Sequence, residues 1–180
     1  MALKLPQTIR LDPSDTFVYS RAAEPGEWAV TGTFLFHGAD IDKLSGKERQ
    51  AFRAGFLGID SFGWSTLAVV TDATAQDCSA AVDRLAEQLV ARCGAPDADT
   101  ARAAAEEEMA FAQSLCDHPA GTLLGLHRAS EDVGIRESFR TLHRKTSRLE
   151  PATAFRFLEI EEEDATTEEV DLLAIAGRRK

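Results

Sequence analysis

Cysteine is scarce in this 180-residue chain and is arranged against any pairing scheme. Cys78, Cys93 and Cys116 are odd in number and include no Cys-x-x-Cys pair, so neither a disulfide framework nor a zinc knuckle follows. Each falls on the inward face of an expected helix, which predicts buried, inert thiols. No apolar run approaches the length of a membrane span. The segment MALKLPQTIRLDPSD has no apolar core of signal-peptide length, so the expected location is cytoplasmic, off the membrane. The phosphate-loop pattern and the dinucleotide-binding glycine triplet are absent. So is Gly-x-Ser-x-Gly, because Ser61 has Ile59 two residues before it. No His-Glu-x-x-His exists, and the expected cofactors and metals are none.

Basic charge is thin as well. Lys and Arg number 20 against 30 Asp and Glu, a net charge of −10. Eight of those acids lie between Glu159 and Asp171 with no base among them, and they account for all but two of the excess negative charges. Without a concentrated cationic footprint, sequence-blind nucleic-acid binding and an anionic membrane surface are both disfavoured. One basic cluster stands out, Arg136, Arg140 and Arg144 with His143, Lys145 and Arg148. It reads either as internal neutralisation of the 159–171 acids or as a docking surface for a charged protein partner or a second copy.

What is present fits one ordinary globule. The chain is 44% apolar and 28% charged, and a single α+β domain over 1–180 is expected. Strands are expected at 7–11 and 16–21 around Asp12-Pro13-Ser14-Asp15, then at 28–36 with Gly32 at a bulge or a close neighbour, together a β-meander. A helix over about 45–57 and a buried strand at 66–70 follow. Thr74-x-x-Asp77 approximates a capping box. It opens a helix whose stripe is Cys78, Val82, Leu85, Ala86, Leu89, Val90 and Cys93, closed by Gly94-Ala95-Pro96. Asp97 or Asp99 caps the next helix, 100–115, with Ala101, Ala104, Ala105, Glu108, Ala112 and Leu115 inward. A strand at 122–127 precedes a short helix capped by Ser130, with Ile135, Phe139 and Leu142 inward and the arginines opposite. A closing hairpin over 153–160 and 171–176 carries the acidic connection 159–171. The architecture expected is a mostly antiparallel sheet of five to seven strands with two long helices packed on one face.

Potential chemistry gathers at Cys116-Asp117-His118, nine residues before His127. Cys116 ends a helix at the pole that disfavours a thiolate, which makes it a poor nucleophile. Asp117 and His118 serve as structural caps before Pro119 or as metal or acid–base groups. Glu108 lies on the inward face and must find a partner or raise its pKa; His127, Arg128 and the arginines of 136–148 are available. A site of Glu108, Asp117, His118 and His127 could work beside an aromatic pocket of Phe34, Phe36 and Trp64, although core packing also explains those rings.

Through the fragments TIRLDPSDTFV, AAEPGEWAV, FLGIDSFGWSTL and FAQSLCDHPAGTLLGLHR, the chain resembles, over most of residues 8–145, an uncharacterised, mainly proteobacterial family of proteins of unknown function. The resemblance brings no established activity and no catalytic residues. It implies an accessory role, through genes serving molybdenum-enzyme maturation and a lipoate/biotin-ligase-like protein. The expectation is a non-catalytic accessory or protein-interaction domain linked to metalloenzyme or cofactor maturation, with the small-enzyme or ligand-binding reading as the alternative.

Overall fold

The computed structural model describes residues 2–144 and 158–161. β1 (Leu3–Ile9) precedes a single helical turn, α1 (Asp15–Val18), and the short β2 (Ala29–Val30). α2 (Gly46–Ala54) leads into a hairpin of β3 (Phe56–Gly58) and β4 (Trp64–Ser65). Thr66 alone separates β4 from β5 (Leu67–Ala73). Two long helices follow, α3 (Ala75–Cys93) and α4 (Ala98–Ser114), and then β6 (Leu123–Glu131), β7 (Gly134–Arg144) and β8 (Leu158–Glu161). One sheet runs β1-β5-β6-β7-β8 and the other β2-β3-β4, with every pairing antiparallel. The chain is therefore α+β, with a five-stranded antiparallel sheet and two long helices as expected, and a second small sheet besides.

The small sheet is the middle layer. Neighbouring residues along a strand point to opposite faces, and here both faces are buried. Val30 and Leu57 pack with Leu85, Leu89, Ala105 and Met109 of the helix pair. Ala29 and Phe56 pack with Ala68, Val70, Leu124 and Leu126 of the larger sheet. At the corner between the sheets, the carboxylate of buried Asp15 accepts from the Thr66 amide (3.1 Å) and hydroxyl (2.6 Å). Strands that turn from one sheet into the next do so at bends of this kind.

The helices start where local chemistry supplies their free amides with acceptors. The Thr74 hydroxyl accepts from the Asp77 amide (3.0 Å), and Asp77 accepts from the Thr74 amide (2.8 Å). Asp97, not Asp99, caps α4 by accepting from the Thr100 amide (2.7 Å). Ser45 and Glu48 form a reciprocal capping box on α2.

Several expectations are corrected. Residues 16–21 contain the α1 turn instead of a strand, because Asp15 is held inward by Thr66. The strand expected over 28–36 stops at Val30: Gly32 adopts φ +75°, and a 3₁₀ turn spans Thr33–Phe36. No opening meander forms as a result. The helix expected after Ser130 is β7, joined to β6 by a two-residue turn at Asp132-Val133. Ala104 and Cys93 are exposed, α4 burying a narrower line of Ala101, Ala105, Met109 and Ala112. Of the closing hairpin, the backbone of β8 pairs with β7; the acidic connection 162–171 and the strand at 171–176 lie outside the described residues.

Candidate functional site

The polar centre of the molecule is Arg128, an arginine in phase with buried leucines. On β6, Leu124, Leu126 and Arg128 share the inward face, and Arg128 is only 1% exposed. Its guanidinium fork is fully employed. Nε donates to the Thr33 hydroxyl (2.7 Å) and lies 3.5 Å from the Glu137 carboxylate, its direct cross-strand neighbour. Nη1 donates to the carbonyls of Ala51 (3.2 Å) and Phe52 (2.9 Å), and Nη2 donates to the Thr31 carbonyl. Thr33 completes the network by donating to Glu137.

Ala51 and Phe52 carry carbonyls of the last turn of α2; the Ala51 carbonyl also accepts from the Gly55 amide (3.0 Å), so Arg128 adds a second donor there and satisfies the Phe52 carbonyl at the helix end. Phe36 and Trp64 stack with centroids 5.4 Å apart, and Arg128 sits 5.5 Å from the Phe36 centroid. Burial lowers the Arg128 pKa to about 10, with Glu137 opposing the shift, so the group stays cationic at neutral pH. Phe36 and Trp64 thus pack around a structural cation, and Phe34 joins the core beside the helices.

Glu108 lies on α4 in the field of this centre. Burial raises its pKa, the nearby Glu137 and Glu107 add to the rise, and Arg128 opposes it. Among the described residues its carboxylate makes no hydrogen bond or ion pair. His127, expected as its partner, points the other way, because successive strand residues alternate faces. His127 is exposed on the outer face, opposite Ser138, where Arg136 and Arg140 also fall through their partners Ala129 and Gly125. Arg144 ends β7, and its side chain lies outside the described residues.

Asp117 and His118 sit in the loop that leaves α4. Side-chain capping was expected of them, but backbone groups close this helix: the amides of Leu115 and Cys116 donate to Ala112 and Gln113. The His118 carbonyl accepts from Lys4 Nζ (2.6 Å), and the following segment docks on β5 through Gly121 N to Val70 O (2.8 Å). Cys116 beside them is buried, and desolvation pushes its thiol up to about 12. The four candidates therefore divide three ways: Glu108 on the inner side, His127 on the outer face, and Asp117 with His118 at the far end of β6. Among the described residues, no group of three or more His, Cys, Asp or Glu is placed to hold a metal ion.

One open groove of about 500 Å³ lies between α2 and the stretch of β6 beyond its pairing with β5. Ile41, Arg49, Phe52, Arg53, His127 and Ser130 contribute to its walls, and none of Phe34, Phe36 and Trp64 does. Arg49 and Arg53 were not singled out from the sequence, although their four-residue spacing on α2 was legible.

A second engaged carboxylate explains the fragments AAEPGEWAV and FLGIDSFGWSTL. Glu27, 6% exposed, accepts from the amides of Glu24 (2.6 Å), Asp60 (2.9 Å) and Ser61 (2.5 Å) and from the Ser61 hydroxyl (2.7 Å). It fixes the β3–β4 loop, in which Phe62 has a positive φ of 56°.

The model of a family of unknown function, DUF6505, matches residues 1–169. The chain belongs to this family. No curated protein and no solved structure matches it. Membership of DUF6505 brings no assigned activity, so function has to be argued from the geometry. Among the described residues, no helix is long and apolar enough to cross a membrane.

Proposed function

We propose that the protein is a non-catalytic accessory domain of the cytoplasm, which docks an acidic protein surface on the outer face of the β6–β7 hairpin. The supporting observation is the division of its polar chemistry. Arg128, Glu137 and Thr33 are bound to one another and to backbone inside the molecule. Among the described residues, Glu108, His127 and the pair Asp117 and His118 lie in three separate places. Acid–base catalysis needs its groups within hydrogen-bond reach of one reacting molecule, and docking does not.

Arg136 and Arg140 stand on one face of β7 whether partnered locally or not, since positions four apart in a strand share a face. Such a face selects partners by charge and speeds encounter. The chain's own acids at 159–171 make a second copy one candidate partner. A component of metalloenzyme or cofactor maturation is the other.

Charge reversal tests the reading. The full chain, purified at low salt, should retain a protein partner or a second copy by native mass spectrometry. The variant R136E/R140E/R144E should lose it while keeping its circular dichroism. Equal recovery from both proteins would remove the proposal.

A further inference from the structure

In an acidic protein, the groove beside α2 is lined, among the described residues, by Arg49, Arg53 and Arg128 against one acid, Asp42, and its two α2 cations lack the use that cations near a helix end ordinarily have. Arg49 and Arg53 are one turn apart on α2, where like charges repel. The C-terminal pole of a helix normally excuses such a pair. Here Arg128 already occupies that pole from beneath, bonded to the Ala51 and Phe52 carbonyls. Arg49 spends one N–H on the Asp42 carbonyl (3.0 Å). Among the described residues no carboxylate pairs with Arg49 or Arg53. Across the groove run His127, Ala129 and Ser130 of β6, and Ile41, Ala54 and Ala129 give it apolar wall.

We infer that this groove binds a phosphate monoester with a small apolar body, its phosphate held by Arg49 and Arg53 and its body laid against the β6 wall. Two guanidinium forks match the charge and the oxygens of a dianion, where a single carboxylate would satisfy only one of them. The volume is that of a small-ligand cleft, with few polar groups set against apolar wall. The site is separate from the partner-docking face in what it binds, and its test uses the purified full chain without any partner.

Phenyl phosphate, phenylacetate and inorganic phosphate would each be titrated into the ¹⁵N-labelled full chain, followed by backbone amide shifts. The expected result is saturable movement by phenyl phosphate, centred on residues 49–54 and 127–130, with inorganic phosphate and phenylacetate each weaker. R49Q/R53Q should weaken phenyl phosphate by about tenfold or more, the scale on which a lost charge-assisted bond is felt. K47Q, which removes an exposed charge on the same helix outside the groove, should leave binding unchanged. Equal binding of phenylacetate would overturn the phosphate assignment, and equal binding of inorganic phosphate would overturn the apolar contact. No saturable shift in the groove, an unaffected double variant, or an equal loss in K47Q would overturn the site itself.

Discussion

A lysine at position 128 would keep the charge and lose the geometry. The arginine fork reaches two carbonyls of α2, the Thr31 carbonyl and the Thr33 hydroxyl at once, and an ammonium on a narrower tip cannot span them. Arg128→Lys is expected to cost about 2–3 kcal/mol, and Arg128→Ala about 3–5 kcal/mol, since it strands Glu137 and several buried acceptors. Urea denaturation measures both, and a loss no larger than that of an exposed arginine would refute the structural role. Glu108 works in the opposite sense. Its folded-state pKa is raised, chiefly by burial and then by Glu137, so the folded protein binds that proton more tightly than the unfolded chain. The contribution of Glu108 to stability is then greatest below the ordinary carboxylate range and is lost as pH rises through the raised value. Glu108→Gln removes the fall. It should stabilise the protein at neutral pH by under about 1 kcal/mol, a figure reduced by solvent on its open side, with the gain vanishing in acid. Melting curves across pH that stay a constant distance apart would contradict this.

At the level of elements, the legible parts were those written in local chemistry. Thr74 with Asp77, and Asp97 with Thr100, announce α3 and α4 because a cap needs only residues three apart in sequence. β7 was misread for a reason of the same kind. Ile135 and Phe139, and Arg136 and Arg140, recur at four, which fits one face of a helix and also one face of a strand. Only the pairing with β6, from Glu131↔Gly134 to Leu123↔Leu142, decides between them. The site was harder to read because its placement is tertiary: Arg128 reaches residues 77 and 97 positions away, and no local pattern encodes that. Gly32 ends β2 for a tertiary reason too. A Cβ there would lie 2.7 Å from Leu57 Cβ and 2.9 Å from the Trp64 ring, at φ +75°. Gly26, at φ +90°, has nothing within 4 Å. Gly26→Ala should therefore cost only the backbone strain, about 1–2 kcal/mol, whereas Gly32→Ala adds overpacking of about 1–3 kcal/mol. Equal destabilisation of the two variants would show that the close approach to Trp64 does not matter.

For the molecule as a whole, the question is whether its layers can come apart separately. The small sheet has two or three residues per strand and could not stand by itself. It is held on one side by the helices, on the other by the large sheet, and at its corner by the single chain that passes from Trp64 through Thr66 into Leu67. Glu27 ties in the loop on the far side, where Gln88 Nε2 of α3 also donates to the carbonyls of Ile59 (3.0 Å) and Asp60 (2.8 Å). We propose that the chain is one domain and unfolds as one unit. Trp28 and Trp64 report on the small sheet and its border, while far-UV circular dichroism is dominated by α3 and α4. In urea the two signals should share one midpoint. Glu27→Ala deletes four hydrogen bonds to a buried carboxylate; it should cost about 3–5 kcal/mol of unfolding free energy and lower both midpoints together. Tryptophan fluorescence that changed well before the helical signal, in either protein, would mean that the middle layer melts on its own and that the helix pair and the large sheet do not need it to stay folded.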